Sequence, residues 1–292
     1  MSKDANYMSL LISHYSLLVK IMLGVIDYLN TQPLEVGISE RLPGITVRRG
    51  VPTTINAAVL AGEVAIAPMS AYEWALHADE LLVVPELSIA TLGAVNSVNL
   101  FGWQADPRQL DGQPVALTTH SATSVNLLRV LCEHHYHAFP EWRPMTPDLD
   151  TMLHDCAAAL MIGDKALVEA TLRRHIGARG LPYFFDLGDE WLKLSGLPFV
   201  FAVWVVRRDR ADEVRAAGIV PALRAAKREN MQHIDELAHG YAPRIGVPAG
   251  VCAKYLRDLR YNLTPSDLDG LHAFLRYAVP TFRSEQLVWF AE

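Results

Sequence analysis

Phe199-Val200-Phe201-Ala202-Val203-Trp204-Val205-Val206 is an unbroken apolar run with no polar position to mark a solvent face. A strand with that pattern is buried on both sides. It closes a long stretch of mixed α/β character and precedes a segment, 207–292, whose periodicity is almost wholly helical. Upstream, from Met22 onward, short runs rich in Val and Ile alternate with helix-period segments, the signature of βα units around a largely parallel sheet. Residues 23–28, 45–48 and 64–67 read as strands. Between them Pro52, with Thr53 and Thr54 beside it, starts a helix that Gly62 stops. Residues 81–84, 87–91 and 97–103 are three further extended runs, and 106–114 is dense in turn formers. A second set of units follows: a strand at 115–118, a helix from about 122 to 134, a strand at 158–162 and a helix from Asp164.

The expected architecture is therefore α/β and two-lobed. Lobe 1 comprises 22–110 and 199–292, lobe 2 comprises 111–198, and 1–21 form an N-terminal extension. Two connections between lobes leave a cleft, and clefts of this kind hold ligands.

Composition limits the function. Of 292 residues 51% are hydrophobic and 20% charged, which excludes a disordered chain. Lys plus Arg number 26 against 32 Asp plus Glu, a net −6, so no broad positive field exists to gather nucleic acid or an anionic membrane. No segment approaches the ~18 continuous apolar residues of a membrane span. The run 9–20 is broken by His14 and Ser16 and ends on Lys20, a poor secretory signal. Cys132, Cys156 and Cys252 have neither disulfide-framework nor zinc spacing, which fits a reducing cytoplasm. The cluster Glu133-His134-His135-Tyr136-His137 reads as a solvated helix end, not a metal site, and no nucleotide loop or hydrolase motif is present. A small anionic ligand remains, recognised locally.

Thr118-Thr119-His120-Ser121-Ala122-Thr123-Ser124 lies between a strand and a helix start. Its hydroxyls coincide with the free N–H groups and positive end of that helix, which is what a carboxylate requires when no Arg is supplied. One hydroxyl would suffice for capping, so the surplus at Thr119, Ser121, Thr123 and Ser124 marks a ligand site. Asn30 ends the first strand, facing the cleft or closing a turn before Pro33. Ser97 and Asn99 share one strand face, as cleft lining or as its solvent side. Asp164 is either an N-cap or a cleft carboxylate. With His120 it is the candidate general base.

Several of these segments together resemble a known family. GVIDYLNTQP at 24–33, SVNLFG at 97–102, SATS at 121–124, LMIGDKAL at 160–167 and DLGDEWLKLSGLPFVFAVW at 186–204 resemble the chorismate dehydratases of the futalosine route to menaquinone, a periplasmic-binding-protein-like menaquinone biosynthesis family. The likeness covers 22–290. Ala65 departs from it, standing where Asp is common. The resemblance implies a type II periplasmic-binding-protein fold and a lyase that dehydrates chorismate to 3-[(1-carboxyvinyl)oxy]benzoate with neither metal nor cofactor. Its sister enzyme, 1,4-dihydroxy-6-naphthoate synthase, is disfavoured by the return strand. A non-catalytic solute-binding protein of the same fold is the remaining alternative.

Overall fold

The computed structural model describes residues 21–172 and 182–292. All but the last residue of the expected N-terminal extension lies outside them. Two five-stranded sheets form the two lobes. In the first, β1 (Met22–Ile26), β2 (Thr46–Gly50), β3 (Ile66–Ser70), β4 (Leu81–Thr91) and β10 (Phe199–Arg207) take the order β2-β1-β3-β10-β4. In the second, β5 (Val98–Gly102), β6 (Pro114–Thr118), β7 (Glu141–Met145), β8 (Ala158–Ile162) and β9 (Tyr183–Asp186) take the order β7-β6-β8-β5-β9.

Each sheet is mixed, not largely parallel. β1 is parallel to β2 and β3, and β6 to β7 and β8, while β10 and β5 run antiparallel to both of their neighbours. These reversed strands are the ones by which the chain enters each lobe from the other. A strand entering at the cleft must run away from it, against neighbours whose C-terminal ends point toward it.

β5 also corrects the first crossing. Asn99 pairs with Met161 of β8 and Asp186 of β9, so the chain has entered the second sheet before residue 98. The crossing is 92–97, and the turn at 106–114, which contains the short helix Pro107–Leu110, lies within the second lobe. The runs 81–84 and 87–91 are one strand, irregular where Glu86 takes φ 65°. Elements without apolar periodicity escaped the sequence reading, notably edge strand β7, which carries Pro144, and the helices Ala71–Leu76 and Leu149–Asp155.

Asp186 and Trp191 tie the crossings together. The Asp186 carboxylate accepts from Val95 N at 2.9 Å and Asn96 N in the first crossing, and from Gly188 N and Asp189 N at the start of the helix Leu187–Ser195. Burial pushes this carboxyl up to about 6, against those four donors. Trp191 is fully buried, packs edge-on against Phe199 and Phe274, and donates from Nε1 to Pro198 O at 3.0 Å. The second connection is thus pinned where β10 begins.

Candidate functional site

The C-terminal ends of β1, β3, β6 and β8 meet the starts of β5 and β10 around a cavity of about 580 Å³, its open mouth included. The walls are mainly apolar, with Ile26, Ile89, Val95, Ile162 and Phe201 among them, and the polar groups are few. None of the lining residues is Asp, Glu, Lys, Arg or His. An anion here is met by hydroxyls, amides and a helix terminus.

Four sequence candidates meet in this cavity: Asn30 from the first lobe, Ser97 from the crossing, and Ser121 and Ser124 from the second lobe. Ser121 Oγ accepts from Ser124 N at 3.0 Å, so it caps the helix Thr123–Leu131. Its own proton stays available to a ligand. The Ser124 hydroxyl has no partner among the described residues, although the residue is 3% exposed. Other first-turn N–H groups of this helix lack an intrahelical acceptor, which leaves their partial positive charge at the cavity wall.

Ser97 Oγ accepts from Tyr255 OH at 2.8 Å, and the same tyrosine lies beside the Asn30 side chain. Asn30 Oδ1 itself is buried with no hydrogen-bond partner among the described residues. Tyr255 belongs to the helix Ala249–Asp258 of the first lobe, and burial holds its hydroxyl far above the usual phenol range. Sequence reasoning missed it because an apolar-face tyrosine in a helical segment reads as core. It also missed Tyr28, Ser70 and Phe201, which line the cavity through neighbours far away in sequence.

The other candidates are placed elsewhere. Asn99 is fully buried in β5 and donates to Asn96 O at 2.9 Å, closing the turn of the crossing. Thr119 is exposed and its carbonyl accepts from Thr53 Oγ1 across the lobes at 3.3 Å. His120 is half-buried outside the lining, its pKa pushed down by burial and by Lys165. Asp164 is next to lining residue Gly163, but its carboxylate accepts from Leu29 N and Tyr241 OH.

Thr123 also leaves the expected carboxylate grip. Its Oγ1 accepts from Tyr72 N at 3.1 Å, so it serves the first turn of the helix Ala71–Leu76 in the other lobe. Thr123→Val should therefore lower Tm by about 2–4 °C through the lost acceptor, roughly 1–2 kcal/mol. Scanning calorimetry checks this. An unchanged Tm with a collapse of turnover would return Thr123 to the substrate.

The model of a family described as menaquinone biosynthesis matches residues 21–280. The chain belongs to that family. Chorismate dehydratase of Thermus thermophilus is 37% identical over 262 residues, which cover 87% of this chain and 93% of that enzyme. Two solved structures of low identity define the fold. A protein of Archaeoglobus fulgidus superposes with a TM-score of 0.67 at 17% identity, covering 88% of this chain and 96% of its own. The periplasmic aliphatic sulphonate-binding protein of Escherichia coli gives 0.60 at 15% identity, covering 92% and 97%. The menaquinone biosynthesis family here uses the two-lobed periplasmic-binding-protein-like fold expected from the sequence, and the cavity occupies its interlobe cleft.

Proposed function

We propose that the protein is a lyase that dehydrates chorismate to 3-[(1-carboxyvinyl)oxy]benzoate in menaquinone biosynthesis. The observation that carries this reading is the 37% identity to a chorismate dehydratase across nearly the full length of both chains. The cavity's chemistry supports it. Chorismate carries two carboxylates, and the ring C3–H is conjugated through the diene with one of them, so charge formed on deprotonation flows into that carboxylate. Ser121, Ser124 and the N-terminus of the helix Thr123–Leu131 offer neutral donors that strengthen as this charge grows.

Asn30 Oδ1, buried and without a partner among the described residues, suits a donor such as the ring C4 hydroxyl. Among the lining residues only Tyr28 carries an ionisable proton, and burial with Asp164 and Asp27 nearby raises its pKa well beyond that of a base at neutral pH. With no suitable base in the lining, the C3 proton passes to a carboxylate of the substrate itself or to a bound water. The C4–O bond then breaks, hydroxide leaves with that proton as water, and the ring becomes aromatic. One proton and one hydroxide move, and no electrons are exchanged with the protein. Closed lobes keep bulk water from the dienolate.

We place the reaction in the cytoplasm, a reading supported by three buried, unpaired cysteines. No described helix is long and apolar enough to cross a membrane.

Incubation of the purified protein with chorismate should yield a product lighter by one water, with a benzoate-type ultraviolet spectrum. Binding of chorismate without any loss of water would favour the solute-binding reading instead.

A further inference from the structure

We propose that Asp164 and Tyr241 form the catch that holds the two lobes closed, with Asp164 acting through the Leu29 amide to position Asn30. Asp164 is thus a positioning residue and not the base. This inference rests on the dehydratase reading for its kinetic consequences, but the contacts themselves do not.

Asp164 stands in the first turn of the helix Gly163–Leu172, where an aspartate ordinarily turns back to cap its own N–H groups. Here both oxygens cross to the other lobe. Oδ1 accepts from Leu29 N at 2.9 Å, in the loop that follows β1, and Oδ2 accepts from Tyr241 OH at 2.7 Å, on the helix Ile234–Ile245. Leu29 directly precedes Asn30, so the carboxylate fixes one face of the peptide that carries Asn30 into the cavity.

The surroundings hold this arrangement in register. Gly163 has φ +64° and lies so close to the Tyr28 ring that a Cβ would come within 2.6 Å of it, so the lobes meet there without a side chain between them. The Arg244 guanidinium covers the Tyr241 ring at 4.7 Å and reaches Asp27 at 3.4 Å, tying the same helix to the end of β1. Burial pushes the Asp164 carboxyl up, and the Leu29 N–H, Tyr241 hydroxyl and Arg244 pull it back. A carboxylate spent on two strong donors and absent from the cavity wall is a poor acceptor for a substrate proton.

Three variants test the catch: Asp164→Ala, Asp164→Asn and Tyr241→Phe. Without any ligand, amide exchange of a peptide spanning 27–31 should quicken at least ~10-fold in Asp164→Ala, since Leu29 N–H loses its acceptor. With chorismate, kcat/KM should fall ~30-fold or more in Asp164→Ala, and product affinity should fall with it, because a catch acts on the closed complex. Tyr241→Phe should move both quantities the same way by a smaller factor. Asp164→Asn, which keeps an acceptor for Leu29, should recover at least half of the logarithmic loss.

The opposite pattern would overturn the proposal. If Asp164→Asn abolishes kcat while product affinity and exchange at 27–31 stay as in wild type, Asp164 is the base. Unchanged exchange and kinetics in both Asp164→Ala and Tyr241→Phe would mean that the contact carries nothing. Failure of wild type itself to dehydrate chorismate would sink the functional reading separately, with the exchange measurement still deciding the catch. Should Asp164→Ala fail to fold, the exchange and affinity of Tyr241→Phe decide it.

Discussion

Ser124→Ala should lower kcat/KM for chorismate about 100-fold, with Tm held within about 2 °C of wild type. The hydroxyl lies at the cavity wall, is nearly buried and has no partner among the described residues, so its removal breaks no hydrogen bond with them. Its loss is felt only when a ligand is present, and most when charge has moved into the carboxylate. A donor aimed at such charge contributes roughly 2.7 kcal/mol to the transition state, which is the 100-fold. Ser121→Ala should separate the two roles of its own hydroxyl. It also removes the cap on Ser124 N, so Tm should fall by about 2–4 °C alongside turnover. Steady-state kinetics paired with calorimetry decide the matter. A Ser124→Ala enzyme within threefold of wild type would show that the serine faces water and not substrate.

Gly270→Ala should be the most damaging Gly→Ala change among the described residues, lowering Tm by about 3–10 °C or leaving the chain insoluble. Gly270 lies inside the helix Pro265–Ala278, which packs on the second connection between lobes. A Cβ there would sit 1.9 Å from the Pro198 carbonyl oxygen and 2.9 Å from its carbon, both backbone atoms that no rotamer change can clear. The helix must retreat or Pro198 must move, and Pro198 O is the acceptor of the buried Trp191 indole. Overpacking of about 1–3 kcal/mol and an unsatisfied buried donor of similar size then add. Gly240→Ala is the control. It lies in an exposed helical position with nothing within 4 Å of its Cβ, and there the same change should raise Tm by about 1–3 °C. Equal melting of Gly270→Ala and wild type would mean that the helix rests farther from Pro198.

Both predictions arise in regions that the sequence marks and leaves incomplete. The surplus of hydroxyls at 118–124 was legible because a helix start needs only one, yet Ser121, Thr123 and Ser124 have three different fates. Ser121 caps, Ser124 faces the cavity, and Thr123 serves a helix in the other lobe. Successive positions on a first turn point about 100° apart, and which direction meets substrate depends on what packs opposite. Asp164 shows the same limit. Its place at a strand-to-helix turn was readable, but an N-cap and an interlobe contact use the same residue in the same turn.

What the sequence by itself determined is the set of strands that run through the hearts of the sheets, because β1, β3, β6, β8 and β10 are buried almost throughout and apolar runs report burial directly. It also pointed to two lobes and offered Asn30, Ser97, Ser121 and Ser124 as cleft candidates, but a turn reading for Asn30 and a solvent-side reading for Ser97 stood beside it until the cavity lining decided. Tertiary structure alone decided where the chain first crosses, since β5 is as apolar as any strand of the first lobe and only its pairing with β8 and β9 assigns it to the second. It alone brought Tyr241 and Tyr255 from the C-terminal helices to Asp164 and Ser97. Periodicity records that a side chain is buried and on which face. The partner of its one polar atom is fixed by the element lying across from it, 158 positions away for Ser97 and Tyr255, and written nowhere in the local sequence.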